Sequence, residues 1–527
     1  MIKVNVLKPE DVTNSIKDGM TVCTIAMTLV SASESILKNI EKTFLETGHP
    51  CDLTLLHSCG QGDRKDGLLH LAHEKLIKRI IGSHWGLMPG WMNLIATDKV
   101  EAYCMPQGQI AQLYRSMACG LPGKISKVGL GTFVDPRLEG GKMNNRTKPL
   151  EDMIDVVNFA GEEYLFYKKV PIDVCIIRGT ECDEMGNLTT DEEAMKLEVL
   201  EAVLATKRFG GKVYAQVKRI VQKGTLNPKS VTVPGVFIDG VVVCDNPLVD
   251  HRQSSSWYFD PSFSGQSRVV ADSIPVLPLT ERKVIGRRAL EEVRPGNVIN
   301  LGTGVPNDVI GNISNEEGIN EDIMITVESG IYGGVQSGGI DFGVGQNLYA
   351  MITHVQQMDY YDGAGVDVTF MGFGELDKEG NVNSTKMGSR CTGAGGFLDL
   401  TQNAKKVVFC GTFTASGGEY SFENNQLHIR KEGRIRKMVN EVAQYSFNGK
   451  IARAKGQKVI IVTERAVFRL IPEGVELIEI AKGVDLQKDI LDLMDFTPII
   501  NKDLKVIDTE IYNPQGTYHL KEKIFNA

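Results

Sequence analysis

Asp173-Val174-Cys175-Ile176-Ile177-Arg178-Gly179-Thr180-Glu181-Cys182-Asp183-Glu184-Met185-Gly186-Asn187 opens on an acid, runs through a short apolar segment and closes on Gly-Asn. The layout returns at Asp367-Val368, with Glu375, Asp377 and Gly380-Asn381 at the same spacings and no gap. A weaker echo lies upstream of each copy. Ile16-Lys17-Asp18-Gly19 precedes a strand at Val22, and Val293-Arg294-Pro295-Gly296 precedes a strand at Val298, each followed by a loop and an apolar helix. Both echoes fall in the same order within each half, which reads as two homologous α/β domains in one chain; one large domain with chance matches is the competing arrangement. Apolar runs at 213–217, 240–244, 297–301, 323–327, 366–371 and 407–411 alternate with helix-period segments, so the strands are predicted to be buried and largely parallel. The polar stretch 253–260, with Gly265 and Ser267 after it, and the segment 275–278 read as the linker, giving domains at 1–270 and 280–527. Near the C-terminus, Asp485 is predicted to cap a helix whose face carries Leu486, Ile490, Leu493 and Met494. Before it, 459–470 and 474–480 are predicted to be a strand pair around a turn at 472–474.

Composition narrows the function classes. The chain has 527 residues, 42% hydrophobic and 24% charged, which excludes disordered, collagenous and coiled-coil chains. Its 58 basic and 66 acidic residues leave a formal charge of −8, so no nucleic acid or membrane partner is expected. The 10 cysteines never form a C-x-x-C pair, which argues against a zinc site or a disulfide framework. Lys3, Lys8, Glu10 and Asp11 interrupt the place of a signal peptide's apolar core, and no run reaches the ~18 apolar residues of a membrane span. A cytoplasmic location is the expectation.

Familiar phosphate cradles are missing. Gly302-Thr303-Gly304 would need glycine at Asn307, and Gly393-Ala394-Gly395 would need it at Leu398, to make a dinucleotide fingerprint. Neither a Walker A loop, a G-x-S-x-G elbow nor an H-E-x-x-H pair occurs. What remains is a carboxylate. The strand at 323–327 runs directly into Glu328-Ser329-Gly330, with Gly333-Gly334 and Gly338-Gly339 beyond. An acid at the carboxyl end of a parallel strand lies where open α/β sheets place ligands, although a solvated turn or a helix cap fits the same position. Thr392-Gly393-Ala394-Gly395-Gly396-Phe397 lets backbone N–H groups approach a ligand closely, as an oxyanion hole requires, or serves simply as a turn. Gly302-Thr303-Gly304-Val305-Pro306 reads as a strand-to-helix turn suited to an anionic or carbonyl group. In Met105-Pro106-Gln107-Gly108 the glutamine amide is either a donor to an oxygen or a surface group. The basic run 430–437 is either a phosphate contact or a solvated charged turn.

Taken in order, these motifs resemble the family I CoA-transferases of the 3-oxoacid CoA-transferase superfamily, in particular the single-chain propionate and acetate branch. The resemblance also rests on Gly131-Thr132-Phe133-Val134-Asp135-Pro136-Arg137, Glu163-Tyr164-Leu165-Phe166-Tyr167, Asp359-Tyr360-Tyr361-Asp362-Gly363 and Val484-Asp485-Leu486-Gln487-Lys488-Asp489-Ile490, and it spans essentially the whole chain. It implies two related open α/β domains, α-type and β-type, fused in one chain with the active site at their interface. Glu328 would be the nucleophile, Gln107 one oxyanion donor and Gly396 the other, with Gly395 as the alternative. Gly302, Thr303, Gly304, Val305 and Pro306 would lie against CoA. The activity implied is short-chain acyl-CoA:carboxylate CoA transfer (acetate, propionate, butyrate, acetoacetate) by ping-pong kinetics through an acyl-glutamyl anhydride and a glutamyl-CoA thioester. Coenzyme A would be a substrate, with no prosthetic group and no metal, in a homo-oligomer (tetramer or dimer). An acyl-CoA hydrolase, or a non-catalytic CoA or sugar-phosphate sensor, are the rival functions. Glutamate has a reference pKa near ~4.3, so Glu328 is expected to be ionised at neutral pH without a neighbouring base. Two departures from the resemblance bear on the acyl pocket: the bulky turn Ala26-Met27-Thr28-Leu29-Val30-Ser31, and Tyr332 and Gln336 after the acid.

Overall fold

The computed structural model describes residues 3–270, 273–514 and 517–525. The first half builds an eight-stranded sheet in the order Val6–Leu7, Gly240–Val243, Lys212–Val217, Val174–Arg178, Thr21–Thr24, Leu53–Leu56, Ile77–Gly82, Glu101–Cys104. Every neighbouring pair is parallel. The second half builds a ten-stranded sheet in the order Ala350–Met351, Ile331–Tyr332, Met324–Val327, Val298–Leu301, Val368–Gly372, Lys406–Cys410, Lys458–Val462, Ala466–Ile471, Gly474–Ile480, Ile499–Val506. Its centre, from Met324–Val327 to Lys458–Val462, is parallel. Runs such as Val174–Arg178 are buried along their whole length, which is why they read as continuous apolar segments rather than alternating ones.

The two echoed stretches fold alike down to individual hydrogen bonds. Asp173 accepts from Thr21 N–H at 2.8 Å and Asp367 from Val298 N–H at 2.8 Å, each acid tying its strand to the neighbour that the upstream echo precedes. Asp183 accepts from Met185 N–H and Asn187 N–H, and Asp377 from Glu379 N–H and Asn381 N–H. The amide of Asn187 returns to Asp183 at 3.0 Å and that of Asn381 to Asp377 at 2.9 Å. Each asparagine oxygen then accepts from a distant glycine, Gly235 N–H and Gly449 N–H, at 2.9 Å. A shared polar framework of this kind repeats only when the whole supersecondary unit repeats, so the fold is two related open α/β domains in one chain.

Three local expectations change. The stretch 459–470 is two antiparallel strands, Lys458–Val462 and Ala466–Ile471, because Thr463 turns the chain by accepting the N–H groups of Arg465 and Ala466. The next hairpin turns as predicted, with Ile471 opposite Gly474. Asp485 caps a helix by accepting Lys488 N–H at 2.7 Å, but the helix stops at Asp489. Ile490 leaves helical geometry at φ −125° to bury its side chain, and a 3₁₀ turn follows. The polar stretch 253–260 is folded onto the second half: Ser255 donates to Ile340 O at 3.1 Å and Asp341 accepts Ser256 N–H at 3.0 Å. The basic run is largely paired at the surface, Arg430 with Glu423, Lys431 with Glu419 and Arg436 with Asp495, while Lys437 is buried under the Phe373 ring. One hydrophobic cluster passes through both halves, including Val22, Trp85, Tyr114, Val327, Phe397 and Leu477, so the halves meet through packed side chains.

Candidate active site

In each sheet the chain order reverses beside one strand. From Thr21–Thr24 the chain steps to Leu53–Leu56 on one side and later to Val174–Arg178 on the other; Val298–Leu301 is flanked in the same way. Ligands of open α/β sheets sit outside the carboxyl ends of strands at such reversals. Both reversals feed one cleft of about 440 Å³ between the halves. Met27 and Thr28 reach it from the first half and Gly302, Thr303 and Gly304 from the second. Val305 and Pro306 begin the helix Val305–Glu316 immediately behind that loop.

Glu328 lies on this cleft at the end of Met324–Val327 and is 5% exposed. Its Oε2 has no hydrogen-bond partner among the described residues. Burial pushes its pKa up to about 7, against the opposing pull of His354 and Asn300. The sequence-based expectation of a fully ionised glutamate is therefore corrected: burial takes back the hydration that keeps a free carboxylate charged.

The loop Gly393–Gly396 comes from the second half but lies on the strand ends of the first. Trp85 N–H donates to Thr392 O at 2.6 Å, Gly395 N–H to Ser83 O at 2.9 Å and Gln107 N–H to Gly395 O at 3.0 Å. Gly393 must be glycine: its φ is +75°, and a Cβ would stand 2.3 Å from Ser83 O. Of the two candidate amides, that of Gly395 is already spent on Ser83, whereas Gly396 N–H makes no hydrogen bond among the described residues. A Cβ on Gly396 would lie 3.6 Å from Glu328 Cδ, so this amide and the buried carboxyl are neighbours. Gln107 is 2% exposed, and its Oε1 would be 3.7 Å from a Cβ on Gly395. All four sequence-predicted residues, Glu328, Gln107, Gly395 and Gly396, thus line one cavity.

Of the two departures, the bulky turn reaches the cleft and the other does not. Met27 and Thr28 line it, the latter held at φ +51°. Tyr332 and Gln336 point elsewhere, the Gln336 amide donating to Gly333 O at 2.9 Å; Phe342, Met371 and Phe397 supply the apolar wall instead. Residues outside any motif also enter. His84 lines the cleft, and burial together with the Arg390 charge drives its pKa down to about 4, leaving it neutral. Gln107 Nε2 is 3.0 Å from His354 Nε2, whose Nδ1 is 2.6 Å from Glu198. Lone histidines and glutamates in mixed segments carry no spacing signal; only the tertiary fold joins them. Arg64, Arg282 and Arg390 stand around the opening. Arg282 pairs with Asp308, while Arg64 and Arg390 have no ion-pair partner among the described residues.

Residues 7–244 match the family model described as Coenzyme A transferase. The chain is 44% identical over 504 residues to the caffeate CoA-transferase of Acetobacterium woodii, covering 94% of this chain and 95% of that protein. It is a member of the CoA-transferase family. This CoA-transferase is also 41% identical to the acetate CoA-transferase YdiF of Escherichia coli O157:H7, over 97% of its own length and 95% of that protein's. The crystal structure of the YdiF apoenzyme superposes with a TM-score of 0.91 at 39% identity, covering 98% of this chain and 97% of that one. That of the YdiF thioester complex with CoA does so at 0.92 and 38%. The protein is an enzyme that uses CoA as a substrate. Among its described residues, no helix is long and apolar enough to cross a membrane.

Proposed function

We propose that this CoA-transferase exchanges CoA between short-chain acyl-CoA thioesters and free carboxylates, with Glu328 as the covalent carrier. The observation that carries the reading is a buried carboxyl whose Oε2 lacks a partner among the described residues, beside the unspent N–H of Gly396. Ionised Glu328 attacks the thioester carbonyl, the C–S bond breaks, and an acyl-glutamyl anhydride and CoA thiolate result. The thiolate then attacks the glutamyl carbonyl, releasing the first acid as its carboxylate and leaving a glutamyl-CoA thioester. The incoming acid reverses both steps, so the number of thioesters is unchanged and no nucleotide hydrolysis is needed.

Each step passes through a tetrahedral oxyanion, and one preorganised donor at such a centre is worth ~10²–10³ in rate. Gly396 N–H and the Gln107 amide are the donors assigned to it. Gly302, Thr303 and Gly304, with Val305 and Pro306 opening the helix behind them, form the wall against CoA, and Arg64 and Arg390 face its phosphates. Binding energy from that remote part offsets the cost of the anhydride. The two units correspond to residues 1–270 and 280–527.

The test is incubation with acetyl-CoA or butyryl-CoA, borohydride reduction and peptide mass analysis. A modified Glu328 is expected, together with transfer of label from acetate into acetyl-CoA. Thioester loss without exchange would make the protein a hydrolase, and an unmodified Glu328 would make it a sensor. Relatives are named for caffeate and for acetate, so a panel from acetate to acetoacetate with an aromatic acid included decides the acid class. Preference for the aromatic acid would overturn the short-chain reading.

A further inference from the structure

Behind Gln107 lies a chain of buried polar groups that the transfer chemistry does not itself use. Ser58 Oγ donates to one oxygen of Glu198, and the other oxygen of Glu198 is 2.6 Å from His354 Nδ1. His354 Nε2 is in turn 3.0 Å from the Gln107 side-chain nitrogen. Ser58, Glu198 and His354 are each 0% exposed, and Gln107 is 2% exposed. Cys59 Sγ is 3.9 Å from His354 Nδ1, which completes a Cys-Glu-His cluster with the donor types of a metal site. Its geometry is that of a shared proton instead: two ligands held at ~2.0–2.1 Å on a tetrahedral zinc stand roughly 3.3 Å apart, well beyond the 2.6 Å between Glu198 and His354.

Two arrangements satisfy the contact between His354 and Gln107. If Nε2 of His354 is bare, it accepts from the glutamine NH₂, and the glutamine oxygen faces the cleft, where it would repel a developing oxyanion. If Nε2 carries a proton, it donates to the glutamine oxygen. The amide, rotated by half a turn, then presents its NH₂ toward Gly395 and the reacting carbonyl. Nitrogen and oxygen of such an amide occupy nearly the same positions, so the partner decides which one faces the substrate.

We infer that Glu198 and His354 are positioning residues that hold His354 as an imidazolium and thereby turn the Gln107 amide into an oxyanion donor. The inference rests on the proposed role of Gln107 in the Glu328 reaction. The groups facing the imidazole bear it out. Burial disfavours its charge, but Cys59 and the Glu198 carboxylate raise its pKa well above the ordinary histidine value. The helix that His354 opens, His354–Asp362, works against a cation at its N-terminus, whereas Glu198, just before Val199–Arg208, stands where an anion is favoured. Burial raises the pKa of both Glu201 and Glu328, and the His354 charge opposes that rise in each. The same imidazolium therefore helps Glu328 to ionise. Motifs in the sequence place Gln107 but give no account of its orientation; the buried relay does.

The test is the single-turnover rate of Glu328 modification by acyl-CoA, measured from pH 6 to 10 and normalised to the final labelled fraction so that only folded enzyme counts. An imidazolium is lost as pH rises through its pKa, and an opposite charge of this kind shifts a pKa by ~1–3 units. Glu198→Gln is therefore expected to move the alkaline limb at least about 1 pH unit lower. Gln107→Ala is expected to slow modification by ~10²–10³, and adding His354→Gln to it to cost less than about 3-fold more when both are compared at about pH 9, where Glu328 is ionised with or without the His354 charge and only the shared donor is read. An unmoved limb in Glu198→Gln, or full additivity of the pair, overturns the inference while Glu328 remains labelled. Unlabelled Glu328 in the wild-type enzyme overturns the proposed function and this inference with it.

Discussion

Glu328 meets two demands that pull against each other. To attack, it must be ionised and poorly hydrated; to be poorly hydrated, it must be buried, and burial raises its pKa to about 7. In the pH range below that value the reactive fraction falls about tenfold per unit. Single-turnover modification of Glu328 is accordingly expected to rise with pH up to about 7, giving an acid limb that a glutamate with the ordinary pKa of 4.5 would place below pH 5. Rapid-quench measurement from pH 5 to 8 checks this, and a flat profile over that interval would contradict the assigned burial effect. Reach is the second constraint. Glu328→Asp withdraws the carboxylate by one methylene from an attack distance of ~3–3.5 Å, and a loss of about 10² or more in kcat is expected. Glu328→Gln, purified free of deamidated enzyme, is expected to show no covalent labelling and no turnover.

At the scale of elements, the duplicated turns explain how the sites are placed. Asp183 and Asp377 are 3% and 2% exposed, and each gathers backbone N–H groups that no strand can satisfy. Replacing either by alanine removes a buried, charged acceptor and with it the bonds from two backbone N–H groups and one asparagine amide, at a cost of about 2–3 kcal/mol. The denaturation midpoints of Asp183→Ala and Asp377→Ala are expected to fall together, because the two turns are built alike; a large fall in only one would show that the likeness is geometric and not energetic. This layer was readable from the sequence because its acids, glycines and asparagines keep fixed spacing and act on their own chain. The relay of Ser58, Glu198 and His354 was not readable. Its members lie far apart in sequence, carry no local pattern, and meet only when the helix starting at His354 docks on the helix Gln107–Ala118 of the first half. The helix after Asp485 is shorter than its pattern predicts for a related reason: apolar periodicity continues through Met494, but burial of Ile490 against the rest of the core bends the backbone first.

For the whole molecule, the question is what holds the two halves in the register that brings Gln107 to Gly396. Strand-end motifs in the sequence place each residue in its own half, but the contact between halves is fixed by side chains outside those motifs. The helix Gln107–Ala118 begins with the oxyanion candidate, and the helix Phe397–Asn403 begins just after the other. Asp399 joins them, accepting Gly108 N–H at 3.2 Å and Gln109 Nε2 at 2.8 Å, while Gln109 also donates to Asp362 at 2.8 Å. Two carboxyls bridged by one amide cannot both ionise cheaply. Burial, and then Asp362, raise the Asp399 pKa to about 8, although Gln109, Gly108 and Lys124 favour the charged form. A carboxyl whose folded pKa exceeds its unfolded value of 3.8 holds a proton in the native state that the unfolded chain has already lost. Stability therefore declines as pH rises between about 4 and about 8, by at most ~1.4 kcal/mol per pH unit for one proton. Asp399→Asn retains an acceptor for Gly108 and has no proton to lose; it gives up the oxygen that accepts Gln109, which keeps its bond to Asp362. Its denaturant midpoint is expected to gain on that of the wild-type enzyme steadily from pH 5 to 8 and to level off above, with turnover at pH 8.5 preserved. Parallel midpoint curves for the two proteins would mean that Asp399 is ionised throughout, and that the halves are held at this point by a charged contact rather than by a shared proton.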